Sequence, residues 1–402
     1  MKSAMQDDVL IIGAGLSGLA CAKALAKRGI SARIFESNQR VAEPWRARHP
    51  ALRLNIHRHF AKLPDLNPPK SDGVFLRRDT VVRYLEDYAA SIDVPIEYGT
   101  SVTAIKRNPN GWQVQCAEKT YIAKNVVVAT GRDRVPFIPQ WPGMESFEGE
   151  LIHACDLGDV ARFDGMRVLV VGAGNSGADV LNHLARHNPA DVLVSVRHGP
   201  AILPARVFGF PLHRLARLFA MLPAALLDPA FRLTQRLFLG NLDALGLPSH
   251  PDGGGTRLIK DGVAFAIDDG FVAALKSGWF KAIPNVRSFW EGRAFLENGQ
   301  YIRPDVMIVA TGYRTGLSRI LAHLGCVTPD GQPHYPSGEA DLHNPGLWFT
   351  GFRPIFTGYF DAAAKTGESI ARSIHQELFR RCQNAKLSPD DMPAKGMDKA
   401  AE

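Results

Sequence analysis

Cysteines, long apolar runs and blocks of like charge are all scarce in this 402-residue chain. The five cysteines, Cys21, Cys116, Cys155, Cys326 and Cys382, are odd in number and far apart. No pair has the CxxC spacing of a redox dithiol or a zinc site, so the spacing argues against both chemistries and suits a reducing compartment. The longest uncharged apolar run, 218–227, has ten residues and contains Pro223, which is too short to span a bilayer. The first apolar run falls inside a strand pattern, so a cytoplasmic protein without a signal peptide is expected. Lysine and arginine outnumber the acids by 47 to 40, giving a formal charge of +7. They form no stripe with interleaved aromatics, which argues against nucleic acid; a mild positive field suits anionic cofactors or substrates instead. With 46% hydrophobic and 22% charged residues, the chain has the composition of a globular protein with room for two or three cores.

What is present is concentrated in two glycine-rich turns. Val9 to Ile12 form an unbroken apolar run, as in a strand buried on both faces of a parallel sheet. In the turn that follows, Gly13 permits the reversal and Gly15 lets backbone approach a pyrophosphate. Gly18 lets the next helix, Ser17 to Arg28 with Gly29 at its end, lie close to the strand. Ser17 and its neighbours at the helix N-terminus offer free N–H groups and a partial positive charge to a diphosphate. A second strand, Ala32 to Phe35, ends at Glu36, whose carboxylate can accept from two ribose hydroxyls. Strand, turn, helix, strand and terminal acid in this order read as an FAD site.

The same plan recurs further along. Arg167 to Val171 is a strand, Gly172, Gly174, Asn175, Ser176 and Gly177 form the phosphate turn, Ala178 to His187 the helix, and Asp191 to Val196 the next strand. Where the first unit ends in Glu36 the second ends in Arg197. An arginine there pairs with a 2′-phosphate, so the second site reads as an NADPH site; the alternative is an exposed strand-end arginine without a ligand. The closing strands also echo one another. Ile122 to Gly131 ends in Ala-Thr-Gly, and Ile302 to Gly312 ends in the same three residues.

The expected fold is therefore α/β: two nested Rossmann-like dinucleotide-binding domains of the glutathione-reductase type, with parallel sheets and a small antiparallel patch. Residues 1–160 and 301–380 form the FAD domain, 161–300 form the NADPH domain, and 381–402 are a disordered tail. The patterns further predict a strand at Leu52–His57 and a helix at 79–90 capped by Asp79. They predict short antiparallel strands at 95–98, 101–107 and 112–116, sheet and loop over 262–284, and a helix at 361–377. Inside the second domain, 201–248 is rich in leucine, phenylalanine, proline and spaced arginines, and reads as a helical insert. Packing with a tunnel role is the favoured reading, and contact with a membrane surface the alternative.

These two sites, together with Phe147-Glu-Gly149-Glu-Leu-Ile-His153-Ala-Cys-Asp-Leu157, resemble the class B flavin monooxygenases, with Leu157 in place of an aromatic residue. Trp45, Leu52 to Phe60, Gly174 to Gly177, Leu203-Pro204, Leu245 to Leu247 and Lys276 to Gly278 are most similar to the YUCCA-type members. Ala264 to Gly270 departs from the YUCCA pattern. The resemblance implies an FAD- and NADPH-dependent monooxygenase that transfers one oxygen atom from O2 through a C4a-(hydro)peroxyflavin. Its substrate would be small and largely apolar: a 2-oxo acid such as indole-3-pyruvate, an amine, a thioether or a ketone. The competing reading is an FAD-dependent NAD(P)H reductase that passes electrons to another acceptor. Asn55 is the candidate donor to the oxygen adduct, with a plain turn residue as the alternative. Trp45, Arg46, Val102, Thr130, Gly131, Thr311, Gly312 and Gly351 complete the candidate cofactor contacts. His153 is expected to set linker geometry. His57 and His59 lack a third ligand, so no metal is expected. A monomer or homodimer is expected.

Overall fold

The structure is a computed structural model that describes residues 6–386 other than Glu118, His198 and Pro200. Two parallel sheets organise it. In the first, Gln6–Ile12 lies between Ala32–Phe35 and Lys119–Val128, with Ile96–Glu97 at one edge and Leu347–Phe349 parallel to Lys119–Val128 on the other side. Val9 and Ile11 face a core with Leu19, Tyr88 and Ile370. Leu10 and Ile12 face the opposite core with Val114, Val126 and Phe349. An unbroken apolar strand is what two covered faces require. From Lys119–Val128 the sheet continues antiparallel into Gly111–Cys116 and Val102–Asn108.

The second sheet repeats the order. Arg167–Val171 lies between Asp191–Ser195 and Val306–Val309, with Phe280–Ile283 and Glu150–His153 at the edges, all parallel. Val168 and Val170 face one core, Leu169 and Val171 the other. The helices Leu16–Ala26 and Asn175–Leu184 follow the two central strands. The C-terminal helix, Tyr359–Lys386, lies against the first of them, and Gly367 makes the approach possible: a Cβ there would sit 2.8 Å from Cys21 N.

Several sequence expectations need revision. Glu150–His153 and Val306–Val309 both belong to the second sheet, so sheet membership changes near 150 and 310 and not at 160 and 300. Leu52–His57 is not a strand. Arg53 alone makes a ladder bridge, to Arg77, and the chain then turns at His57–Phe60, where Phe60 N–H reaches His57 O at 2.8 Å. Ile96–Glu97 joins the parallel sheet and not the antiparallel patch. The helix Arg78–Ala90 has no side-chain cap: its N-cap is Arg77, which offers no acceptor, and Asp79, expected as the cap, lies inside the first turn paired with Arg78.

The insert opens with strands before it turns helical. Ile202–Pro204 pairs with Ala266–Asp268, Arg206–Val207 with Phe210–Pro211, and then come the helices Ala216–Met221 and Ala224–Phe238. The stretch expected to be sheet and loop contains a helix, Phe271–Lys276. The C-terminal helix runs to Lys386, past the expected end at 377, and the rest of the expected tail lies outside the described residues. No helix among the described residues is long and apolar enough to cross a membrane.

Candidate active site

The two glycine turns are near-duplicates in space. Gly13 has φ +105°, and a Cβ there would meet Ala129 O at 2.8 Å; Gly172 has φ +97° and would meet Ala310 O at 2.8 Å. Gly15 and Gly174 face open space with nothing within 4 Å. A Cβ on Gly18 would lie 1.9 Å from Gly13 O, and one on Gly177 would lie 1.9 Å from Gly172 O. Each cradle thus demands glycine twice for closeness and leaves the middle one bare for an incoming group.

Glu36 is buried at the end of its strand. Its carboxylate accepts from Ala14 N–H at 2.8 Å and from both Asn38 N–H at 2.9 Å and Asn38 Nδ2 at 2.7 Å. Around it, Trp45, Val102, Thr130, Gly131, Gly351, Gly13, Gly15 and Ser17 line one cavity of about 920 Å³. The Thr130 hydroxyl is buried without a protein partner, and Gly351 packs so closely on the first helix that a Cβ would be 2.6 Å from Ser17 Oγ. Arg46 does not line this cavity; Glu86 and Glu43 hold its guanidinium.

In the second unit Asn175 and Ser176 reach the same cavity, while Gly172, Gly174, Gly177, Arg197, Thr311 and Gly312 do not line it. Arg197 is exposed just beyond Asp191–Ser195 and makes no ion pair with any described residue, which leaves its charge available. Thr311 Oγ1 donates to Phe137 O at 2.5 Å, and Gly312 O accepts from Phe137 N–H at 3.0 Å. His153 Nε2 also lies 3.0 Å from Gly312 O, and its Nδ1 accepts from Cys155 N–H. This buried histidine ties the strand Glu150–His153 to the turn after Val306–Val309.

Several contacts between the units are polar, besides the aromatic packing of Phe356 on Phe265. Asn55 sits on a turn and its Nδ2 donates to Asn175 Oδ1 at 2.8 Å, joining the segment before the first cavity wall to the start of the second helix. His49 Nε2 lies 2.8 Å from Asp179 Oδ2, and His183 Nε2 3.5 Å from Asp179 Oδ1. Burial pushes the Asp179 carboxyl up, but hydrogen bonds from His183 and His49 outweigh it and hold it at about 2. These three side chains bring ligand atoms within 4.8 Å of one another, the one such group among the described residues. Sequence spacing singles out His57 and His59 and not this set, whose only signal along the chain is the i,i+4 spacing of Asp179 and His183 on the second helix. The unit boundary is crossed again where Arg48 donates to the Tyr313 hydroxyl and lies over its ring.

The far end of the cavity is apolar. Leu203, Leu212, Phe219, Phe231, Leu258, Phe265 and Phe356 line it, with Phe231 edge-on to Phe219 at 5.1 Å and to Phe265 at 4.9 Å. His213 closes this end, its Nδ1 accepting from His57 N–H at 3.1 Å, and burial pushes its pKa down to about 4. These aromatics were not identified in advance. Phe265 and Ile267 come from Ala264–Gly270, the stretch that departs from the expected pattern, and that departure was the available signal.

The donor set suits two dinucleotides: two bare glycine cradles, an acid at one strand end, an unpaired arginine at the other, and an orphaned hydroxyl between. Comparison with known proteins agrees. Residues 10–202 match the family model for pyridine nucleotide-disulphide oxidoreductases. The chain is 31% identical over 393 residues to the probable indole-3-pyruvate monooxygenase YUCCA3 of Arabidopsis thaliana, covering 94% of this chain and 89% of that one. Its fold is shared with a flavin-containing monooxygenase from Stenotrophomonas maltophilia, at TM-score 0.70 and 22% identity over 93% of this chain and 99% of that one. It is shared also with OTEMO in complex with FAD and NADP, at TM-score 0.70 and 18% identity over 96% and 86%. The chain belongs to the flavin-dependent monooxygenases of the YUCCA type, oxidoreductases that use FAD and NADPH.

Proposed function

We propose that this enzyme oxygenates a small, largely apolar substrate, with an aromatic 2-oxo acid such as indole-3-pyruvate foremost, and amines, thioethers and ketones behind it. The observation that carries this reading is a single cavity that runs from the first glycine cradle, past Asn55 and Asn175, into a pocket walled by Phe219, Phe231, Phe265 and Phe356. A reductase that hands electrons to a protein has no use for an enclosed aromatic end of this kind.

In this reading FAD, reduced by NADPH, supplies the oxygen activation, and the chain supplies binding, orientation and dryness. Gly13, Gly15, Ser17 and Gly18 take the diphosphate of FAD at the helix N-terminus, and Glu36 the ribose hydroxyls. Trp45, Val102, Thr130, Gly131 and Gly351 complete its walls. Gly172, Gly174, Asn175, Ser176 and Gly177 hold the second diphosphate, and Arg197 the 2′-phosphate that marks NADPH. Thr311 and Gly312 act by fixing the strand end beside it. The two sheets thus act as an FAD unit with an NADPH unit nested within it.

Asn55 holds the junction of the two sites. Its amide donates to Asn175, and the same donor serves a negative oxygen at that junction. The aromatic end excludes water from the place where the oxygen atom is transferred.

The test is a product screen with the FAD-loaded enzyme, NADPH and air, using indole-3-pyruvate, a tertiary amine, a thioether and a cyclic ketone. One of these compounds gains a single oxygen atom, or loses carbon dioxide as it does so. Release of hydrogen peroxide in step with NADPH consumption, whichever compound is present, would favour the reductase instead.

A further inference from the structure

Among the described residues, ten of the eighteen large apolar side chains that are exposed come from residues 208–238. They belong to the insert whose inner side walls the cavity. On the helix Ala224–Phe238, Phe231 and Leu227 point inward, and Leu226, Leu233 and Leu237 are 61, 57 and 69% exposed. Spacings of seven and four residues put these three leucines on one stripe of the helix. The stripe is therefore turned outward, the reverse of a helix that lies on its own protein's core. Two further tips stand near it in sequence: Met221 at 81% and Phe208 at 95% exposure. Phe208 is held at φ +50° in the tight turn between Arg206–Val207 and Phe210–Pro211, a conformation costly for a bulky residue, and its ring rests edge-on against Phe238.

The charges beside this stripe are of one sign. Residues 206–242 hold five arginines and a single acid, Asp228. Asp228 is buried and faces inward, accepting from Gly255 N–H at 2.7 Å and from Thr256 Oγ1 at 2.5 Å. The outer face of the helix Ala224–Phe238 shows apolar tips with Arg232 and Arg236 beside them; the insert's other acid, Asp243, lies exposed beyond that helix and accepts from Ser249 N–H at 2.6 Å.

We propose that this outer face of the insert docks on an anionic lipid bilayer. A helix lying in the interface needs an apolar stripe with cations flanking it; here Leu226, Leu233 and Leu237 form the stripe and Arg232 and Arg236 the flank. A second copy of the chain fits poorly, because a two-fold contact would set arginine against arginine. A protein partner would need a pocket for each protruding tip, whereas acyl chains accept a side chain as exposed as Phe208 without one.

The experiment is co-sedimentation of the FAD-loaded full chain with vesicles of phosphatidylcholine alone or mixed equally with phosphatidylglycerol. The wild type binds the anionic vesicles, and more weakly as salt is raised. The triple variant Leu226→Gln, Leu233→Gln, Leu237→Gln lowers partitioning about a hundredfold. The pair Arg232→Gln, Arg236→Gln lowers it about thirtyfold, from ~1 kcal/mol for each cation near the surface. Both variants keep the flavin content and the vesicle-free NADPH oxidation of the wild type. Failure of the wild type to bind anionic vesicles, or equal binding by all three proteins, overturns the proposal. So does a wild-type dimer that the leucine variant dissolves, which assigns the face to a second copy. Competition by polyglutamate that ignores the leucine changes would assign it to an acidic protein and overturn it as well.

Discussion

A methyl group on Gly177 would sit 1.9 Å from Gly172 O, inside any tolerable contact, and the obstacle is backbone that cannot swing aside. Gly177→Ala should therefore open the second cradle while leaving the first intact: yellow protein with normal flavin content, but at least a hundredfold lower kcat/KM with NADPH, about 3 kcal/mol of lost binding. Gly18→Ala meets the same obstacle in the first unit, at Gly13 O, and should come out of purification without its flavin. Arg197 calls for a finer test. It stands at a strand end with its charge unpaired by any described residue, where a charge-assisted bond to phosphate is worth about 1.5–3 kcal/mol. Arg197→Ala should raise KM for NADPH by roughly ten- to a hundredfold and leave KM for NADH almost unchanged; an equal effect on both would remove the phosphate role. Arg46 is the counter-example at this scale. Its guanidinium is engaged by Glu86 and Glu43, which a motif read along one line of sequence does not reveal.

Elements were legible where period and chemistry agreed. The two central strands announce themselves by four or five consecutive apolar residues, and the helices after them by the glycine turn that must precede a phosphate-facing N-terminus. The segment Leu52–His57 misled because Leu54 alternates with polar neighbours for a different reason: it drops into the first core while the chain around it curls to line the cavity. The insert's composition pointed to a tunnel wall, but not to the aromatics that meet there. Phe219, Phe231, Phe265 and Phe356 come from separate elements, and no local spacing records that they meet. His213, beside them, makes the insert's seating sensitive to pH. Burial keeps its ring neutral down to about 4, whereas the unfolded chain takes up the proton near 6.5. Between those values only the unfolded chain binds the extra proton. The stabilisation is therefore complete above about 6.5 and drains away as the pH falls toward 4, at no more than about 1.4 kcal/mol per pH unit. Through this window the folded ring stays neutral and Nδ1 keeps accepting from His57 N–H; that contact between insert and first unit is lost only below about 4, where the folded imidazole itself takes up the proton. Melting temperatures measured from pH 7.5 down to 5 should fall more steeply for the wild type than for His213→Gln; parallel curves would show that this imidazole does not carry the effect.

On the scale of the whole molecule, two sheets of the same strand order each present a glycine turn, and the first turn and the start of the second helix line a common cavity. The hydrogen bonds across it include Asn55 to Asn175, His49 to Asp179, Arg48 to Tyr313 and His57 to His213, with Arg132 and Arg353 donating to Gly262 O and Ile259 O. Repetition made the pairing of sheets readable, since Ala-Thr-Gly closes both halves. Where the chain crosses between them was not, because strand pairing and not sequence order decides that Glu150–His153 belongs with Val306–Val309. Two nucleotides held this way would pass electrons inward so that an oxygen atom passes outward. Turnover of the FAD-loaded enzyme under 18O2, with NADPH and the compound that the screen selects, tests this most directly. One labelled atom from O2 is expected in the organic product for each NADPH consumed. Unlabelled product, or hydrogen peroxide equal to the NADPH oxidised with no oxygenated compound formed, would contradict it.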